Sequence, residues 1–157
     1  MKTVYTCFGT DVIYGAHIEL LHKAAQLGRL VVGVLTDEVV ASYKRFPVLP
    51  YEERKRILSG IKGVDEVIAQ TELSYVDNIR KLRPDYVVHG DDWKEGNLKG
   101  IREEVVVVLK ELGGELIEFP YHRNEKYDII EKQTREILSM PDIRRKRLRK
   151  SIEMKSL

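Results

Sequence analysis

The sequence predicts an α/β domain in which one parallel sheet of about five strands lies between two layers of helices. Two observations carry this expectation. Short apolar runs rich in β-branched residues alternate with helical segments along the whole chain, and such alternation is the mark of βαβ crossovers. The chain also has 157 residues, enough to bury about two-thirds of its unfolded surface around one core but too few for a second full domain.

The elements follow in order. TVYTCFG is a short β-forming run, and GAHIELLHKAAQLG places Ile18, Leu21, Ala25 and Leu27 near helical spacing, with Gly28 closing the segment. LVVGVLT is continuously apolar, as strands covered on both faces are. A charged helix opens at Asp37 and Glu38, and PYEERKRILSGIKG is a helix with Pro50 at its start and glycines at its end. Three further strand and helix pairs follow: DEVIAQ with SYVDNIRKLR, DYVVHG with IREEVVVVLKELGG, and ELIEFP with EKYDIIEKQTREIL. The whole reads as a Rossmann-like three-layer sandwich over residues 1–140.

Composition narrows the function classes. Residues 141–157 hold seven Lys and Arg against two Asp and Glu, leaving 20 against 23 in the rest, so the net charge of +2 is that of a mildly acidic body with a basic tail. A body of that sign gives no support to nucleic-acid binding. The tail is expected to form a solvated helix or a linker. No apolar run approaches the length of a membrane span, the N-terminus lacks a signal-peptide core, and the single Cys7 cannot form an internal disulfide. A cytoplasmic protein without a membrane partner is the expectation. Cys7 itself reads as a small buried hydrophobe.

In a parallel sheet, ligands bind where strands end and helices begin. Three polar segments stand at such places: FGTDVIYGAH, VVHGDDW and FPYHRNEKY. In the first, the small residues Gly9, Thr10, Gly15 and Ala16 would let a phosphate chain approach the backbone. There His17 falls in the first turn of a helix, whose amides attract phosphate. The segment is neither a dinucleotide fingerprint nor a Walker loop. In the second, Asp91 and Asp92 could accept hydrogen bonds from ribose or base, hold a metal, or cap a helix. Trp93 could pack on a base or anchor the core. His89 could touch ribose or cap the sheet.

Taken together these residues resemble the cytidylyltransferase family. FGTDVIYGAH is similar to its G-T-F-D-x-x-H-x-G-H signature, and VVHGDDW to the G-D-D-W element of its glycerol-3-phosphate branch. VGVLTDEVVASYKRFPVLPYEERKRIL, between them, is similar to the family's T-D-E turn, downstream lysine and E-R-K helix. ASYKRFPVLPYEERK, LSYVDNIRKLRPDYVVHGDDW and LSMPDIRRKRLRKSIEMKSL further resemble the nucleotidyltransferase domain fused ahead of phosphoenolpyruvate mutase in phosphonate biosynthesis.

The resemblance implies transfer of CMP from CTP, with Mg²⁺, to a small phosphonate such as 2-hydroxyethylphosphonate. The alternatives are glycerol 3-phosphate or another small phosphate ester as acceptor, or a nucleotide-binding module without catalysis. The resemblance also implies a homodimer, and a basic tail that joins a mutase domain. His17, Lys44 and Tyr14 would be catalytic, Tyr14 standing where the family has its first histidine. Phe8, Gly9, Thr10, Gly15, His89, Gly90, Asp91, Asp92 and Trp93 would bind the nucleotide. Asp11, Lys44 and Arg54 would bind the acceptor, while Arg45, Arg56 and His22 read as surface charges. No protein metal ligand is expected. Where the family carries R-T-x-G-I-S-T-T on the triphosphate, this chain reads FPYHRNEKYDII. His122, Arg123 and Lys126 are the replacement donors there, or else a solvated helix start.

Overall fold

The computed structural model describes residues 1–9, 11–122 and 124–155. Five strands form one sheet: β1 (Thr3–Phe8), β2 (Arg29–Leu35), β3 (Glu66–Gln70), β4 (Tyr86–Gly90) and β5 (Glu115–Phe119). Their spatial order is β3-β2-β1-β4-β5 and every pairing is parallel. The central strand is β1, in which Val4 pairs with Leu30 on one side and with Tyr86 on the other.

The helices are α1 (Gly15–Ala25), α2 (Asp37–Tyr43), α3 (Tyr51–Ser59), α4 (Val76–Leu82), α5 (Lys99–Leu112), α6 (Glu125–Leu138) and α7 (Pro141–Lys155). Alternate residues of the strands feed two separate cores. Val4, Phe8, Val32, Val34 and Val88 pack with Leu21 and Ala24 of α1 and Leu58 of α3. Tyr5, Val31 and Val87 pack on the other face with Ile79 of α4 and Val105, Val108 and Leu109 of α5. Because strand side chains alternate between faces, two helical layers cover one sheet, as the apolar runs predict.

One buried polar device crosses the second core. Tyr5 donates its hydroxyl to Gln70 Oε1 at 2.7 Å and accepts from Asn78 Nδ2 at 2.9 Å, so its buried oxygen is satisfied. The ring lies across Gly33, where an added Cβ would stand 2.0 Å from that hydroxyl. At the end of α5, Gly113 has φ +79°, a left-handed stop that side chains disfavour.

The basic tail is helical in α7, and it does not stand apart from the body. Arg147 donates to the carbonyls of Pro47 and Val48, and Lys155 pairs with Glu38 of α2. Among the described residues no helix is long and apolar enough to cross a membrane.

Candidate active site

The strand order reverses direction between β1 and β4, and a parallel sheet opens a crevice at that point. A cleft of about 470 Å³ lies there. Phe8 and Gly9 at the end of β1 and His89, Gly90 and Asp92 at the end of β4 line it. The walls are the first turns of α1, including His17, Tyr43 and Lys44 at the end of α2, and the segment 119–122 after β5.

His17 is held by its own helix end. The Tyr14 amide donates to its Nδ1 at 2.9 Å, in the manner of a capping box with an imidazole in place of the usual Glu or Gln. A neutral ring bonded this way carries its proton on Nε2 and offers it as a donor. Burial first, and the Lys44 charge second, lower the pKa of His17 below the ordinary imidazole value. Neutral imidazole is therefore its resting form at pH 7. Phe8 meets the ring edge-on at 5.6 Å and Tyr14 stacks on it at 5.1 Å.

Lys44 follows the last residue of α2, and its ammonium lies 3.5 Å from a carboxylate oxygen of Glu131 on α6. Burial lowers its pKa, and the Glu131 charge opposes that shift. His89 lines the cleft with its ring flat on Trp93, centroids 3.6 Å apart, and its Nδ1 donates to the Gly90 carbonyl at 2.7 Å. At Gly90 a Cβ would come within 2.7 Å of Asp92 Oδ1, so the backbone approaches that carboxylate closely. His122 also lines the cleft.

Several expected site residues are placed elsewhere. Trp93 is 1% exposed in the second core, and its indole donates to Glu118 at 2.7 Å. With His89 covering its face it anchors the core and offers no platform to a base. Asp91 lies outside the cleft lining and accepts the Tyr121 amide at 2.9 Å, tying the turn after β4 to the turn after β5.

Arg54 is 2% exposed and donates to the Leu35 and Leu49 carbonyls and to Asp37 at 2.6 Å. It braces the end of β2 from inside and does not reach the cleft. Asp11 is buried and directed away from the cleft. It takes both ends of the Arg45 guanidinium, at 2.8 and 3.2 Å, and the amides of Val48 and Leu49. Burial alone would raise its pKa, but the Arg45 hydrogen bonds outweigh that and hold it below the ordinary carboxylate range. Arg45 is thus a buried counter-ion, contrary to its reading as a surface charge, whereas Arg56 and His22 are exposed.

Tyr14 stands behind His17. It is absent from the cleft lining, and its ring is stacked on Tyr127 of α6 at 3.6 Å. Gly15 and Lys126 are exposed and also outside the lining, the Lys126 amide being capped by Asn124. Thr10 and Arg123 lie outside the described residues.

Four contributors were missed by the sequence reading: Tyr43, Lys23, Tyr127 and Glu131. For Tyr127 and Glu131 the sequence signal is the stripe 127, 131, 134 and 138, the half-buried or buried positions of α6 at helical spacing. Among the described residues no three His, Cys, Asp or Glu side chains converge as a metal cage.

The cytidylyltransferase-like family model matches residues 7–146. The chain belongs to the cytidylyltransferase-like family. It is similar to glycerol-3-phosphate cytidylyltransferase of Bacillus subtilis, 38% identical over 110 residues, spanning 69% of this chain and 84% of that protein. It is also similar to FAD synthase of Ferroglobus placidus, 32% identical over 114 residues and spanning 68% and 75%.

Against the bifunctional protein HldE of Gluconobacter oxydans, 36% identity over 121 residues spans 74% of this chain but 24% of that protein. The lipopolysaccharide core biosynthesis protein of Thermoplasma volcanium superposes with a TM-score of 0.67 at 23% identity, covering 78% of this chain and 99% of that one. The last match speaks to fold alone. In open parallel α/β sheets, ligands bind at such a switch point in strand order, which here is the cleft between β1 and β4.

Proposed function

We propose that this member of the family transfers CMP from CTP to a small phosphonate, 2-hydroxyethylphosphonate being the leading acceptor, and releases pyrophosphate. The observation that carries the reading is the pairing of two donors in one cleft, the Nε2–H of His17 and the ammonium of Lys44. A phosphonate oxygen forms a bond to the α-phosphorus of CTP while the bond from that phosphorus to the bridging oxygen of the β-phosphate breaks. The nucleophile is already anionic at pH 7, so no protein base is needed. The chain positions the reactants and neutralises charge that grows on the phosphate oxygens.

Mg²⁺ would accompany the triphosphate and supply further neutralisation. With no cage of protein ligands among the described residues, it would be held chiefly by phosphate oxygens, with Asp92 and Glu19 as carboxylates on the cleft wall. The phosphonate preference is supported by the resemblance of segments 41–55, 73–93 and 138–157 to the nucleotidyltransferase domain of phosphonate biosynthesis. The likeness to glycerol-3-phosphate cytidylyltransferase favours a second acceptor, glycerol 3-phosphate. A homodimer working in the cytoplasm completes the reading.

A pyrophosphate-release assay tests it, with CTP or ATP as donor and a panel of phosphonates and phosphate esters as acceptors. Release with CTP and 2-hydroxyethylphosphonate is the expected result. Release only with glycerol 3-phosphate moves the assignment to the second acceptor. Nucleotide binding without release on any acceptor would overturn catalysis altogether.

A further inference from the structure

Helix α6 turns one stripe toward the body, and two of its residues stand behind the cleft wall, one on the His17 side and one on the Lys44 side. Tyr127 lies flat on Tyr14, which stacks in turn on His17. One turn later, Glu131 reaches the basic pair at the end of α2. Its two oxygens accept from Arg45 Nε at 2.7 Å and Nη2 at 3.1 Å, and one of them also lies 3.5 Å from the Lys44 ammonium.

The two contacts of Glu131 are unequal. With Arg45 the pair is bidentate, the stronger geometry for a carboxylate, and the guanidinium is only 3% exposed. With Lys44 the contact is longer and both side chains are 23% exposed. If an anion took over Lys44, Glu131 would keep both bonds to Arg45. The usual penalty for stripping a partner from a partly buried carboxylate would not arise.

We propose that Glu131 is a positioning residue that holds Lys44 against the cleft wall and hands it over to the phosphate groups of the substrate. This rests on the nucleotidyltransferase reading above and adds to it a residue that touches neither reactant. Glu131 competes with phosphate for Lys44, so it sets the affinity of the cleft for polyphosphate, and it does so through Lys44 alone.

The test is a double-mutant cycle read by calorimetric binding of inorganic pyrophosphate. Glu131→Gln keeps an acceptor for Arg45 and removes the competing charge. It should tighten pyrophosphate binding about fivefold, the scale of a partly exposed ion pair, and lower the KM for CTP without raising kcat. In a Lys44→Met background the same substitution should change binding by less than about twofold, because coupling vanishes with its partner. Should Glu131→Gln fail to fold, Glu131→Asp keeps the charge for Arg45, draws it back from Lys44, and must shift binding in the same direction.

Weaker binding in Glu131→Gln, or an equal shift in both backgrounds, overturns the inference. Turnover on the acceptor panel is scored separately. Normal turnover without the Lys44-dependent shift sinks this inference and leaves the function reading intact. The shift without turnover does the reverse.

Discussion

The Tyr14 amide donates to Nδ1 of His17 across 2.9 Å, and this bond decides which nitrogen of the imidazole faces a substrate. With Nδ1 occupied as an acceptor, Nε2 is the only donor the neutral ring can offer. His17→Ala should therefore lower kcat by about a hundred- to a thousandfold, the scale for losing one preorganised donor to a developing anion. The lost capping bond costs about 1 kcal/mol, a shift of about 2–4 °C in melting temperature for a chain of this size. Steady-state kinetics beside a thermal melt check this, and unchanged turnover would sink the assignment of His17.

Tyr14 separates chemistry from support. Its ring is clasped between His17 and Tyr127, and its hydroxyl has no place in the cleft. Tyr14→Phe should keep activity within about twofold, whereas Tyr14→Ala should lower it about tenfold, in line with an aromatic pair worth about 0.5–1.5 kcal/mol. A tenfold loss in the Phe variant would instead mean that the phenol touches substrate.

Arg54 should matter to stability before it matters to turnover. Removing a buried guanidinium strands the Leu35 and Leu49 carbonyls and the Asp37 carboxylate. The partly exposed Asp37 tempers the penalty, so Arg54→Met is expected to cost about 3 kcal/mol. Urea unfolding measures it. A variant of native stability with a raised KM for the acceptor would return Arg54 to the binding site.

Acid should destabilise the fold early. Burial lowers the pKa of His17 and of His89, the latter partly offset by the Gly90 carbonyl. Both folded values lie below the ordinary value of about 6.5, so between the two the unfolded chain binds the extra protons. Their contribution is complete above about pH 6.5 and is lost as pH falls through the folded values. Denaturant midpoints at pH 7.5, 6.0 and 5.0 should fall in that order, and more gently in His89→Phe. A midpoint that rises on acidification would contradict this.

The layered fold was legible because each strand is an apolar run and each crossover helix carries its own stripe, both of which are local patterns. Gly9, Gly90 and Asp92 were legible as cleft elements because they stand at or just after the ends of β1 and β4, and His17 because it lies in the first turn of the helix that follows β1. Lys44, which follows α2, was legible only through the family motif. Trp93, Asp91, Asp11 and Arg54 were misread for one shared reason. Residue type names a capability, while burial and partner choice decide whether it is turned outward. Nothing in the sequence announces that Arg45 pairs with Asp11 across 34 residues, or with Glu131 across 86.

What the sequence determined by itself was therefore the parallel α/β architecture, the chain order of its elements and the family. These follow from periodicity and from motifs that lie contiguous along the chain. Only the tertiary structure decided that the reversal between β1 and β4 opens the cleft, that Tyr14 backs His17, and that α6 reaches over to Lys44. Those are contacts between distant segments, and their geometry exists only once hydrophobic burial has packed the helices onto the sheet.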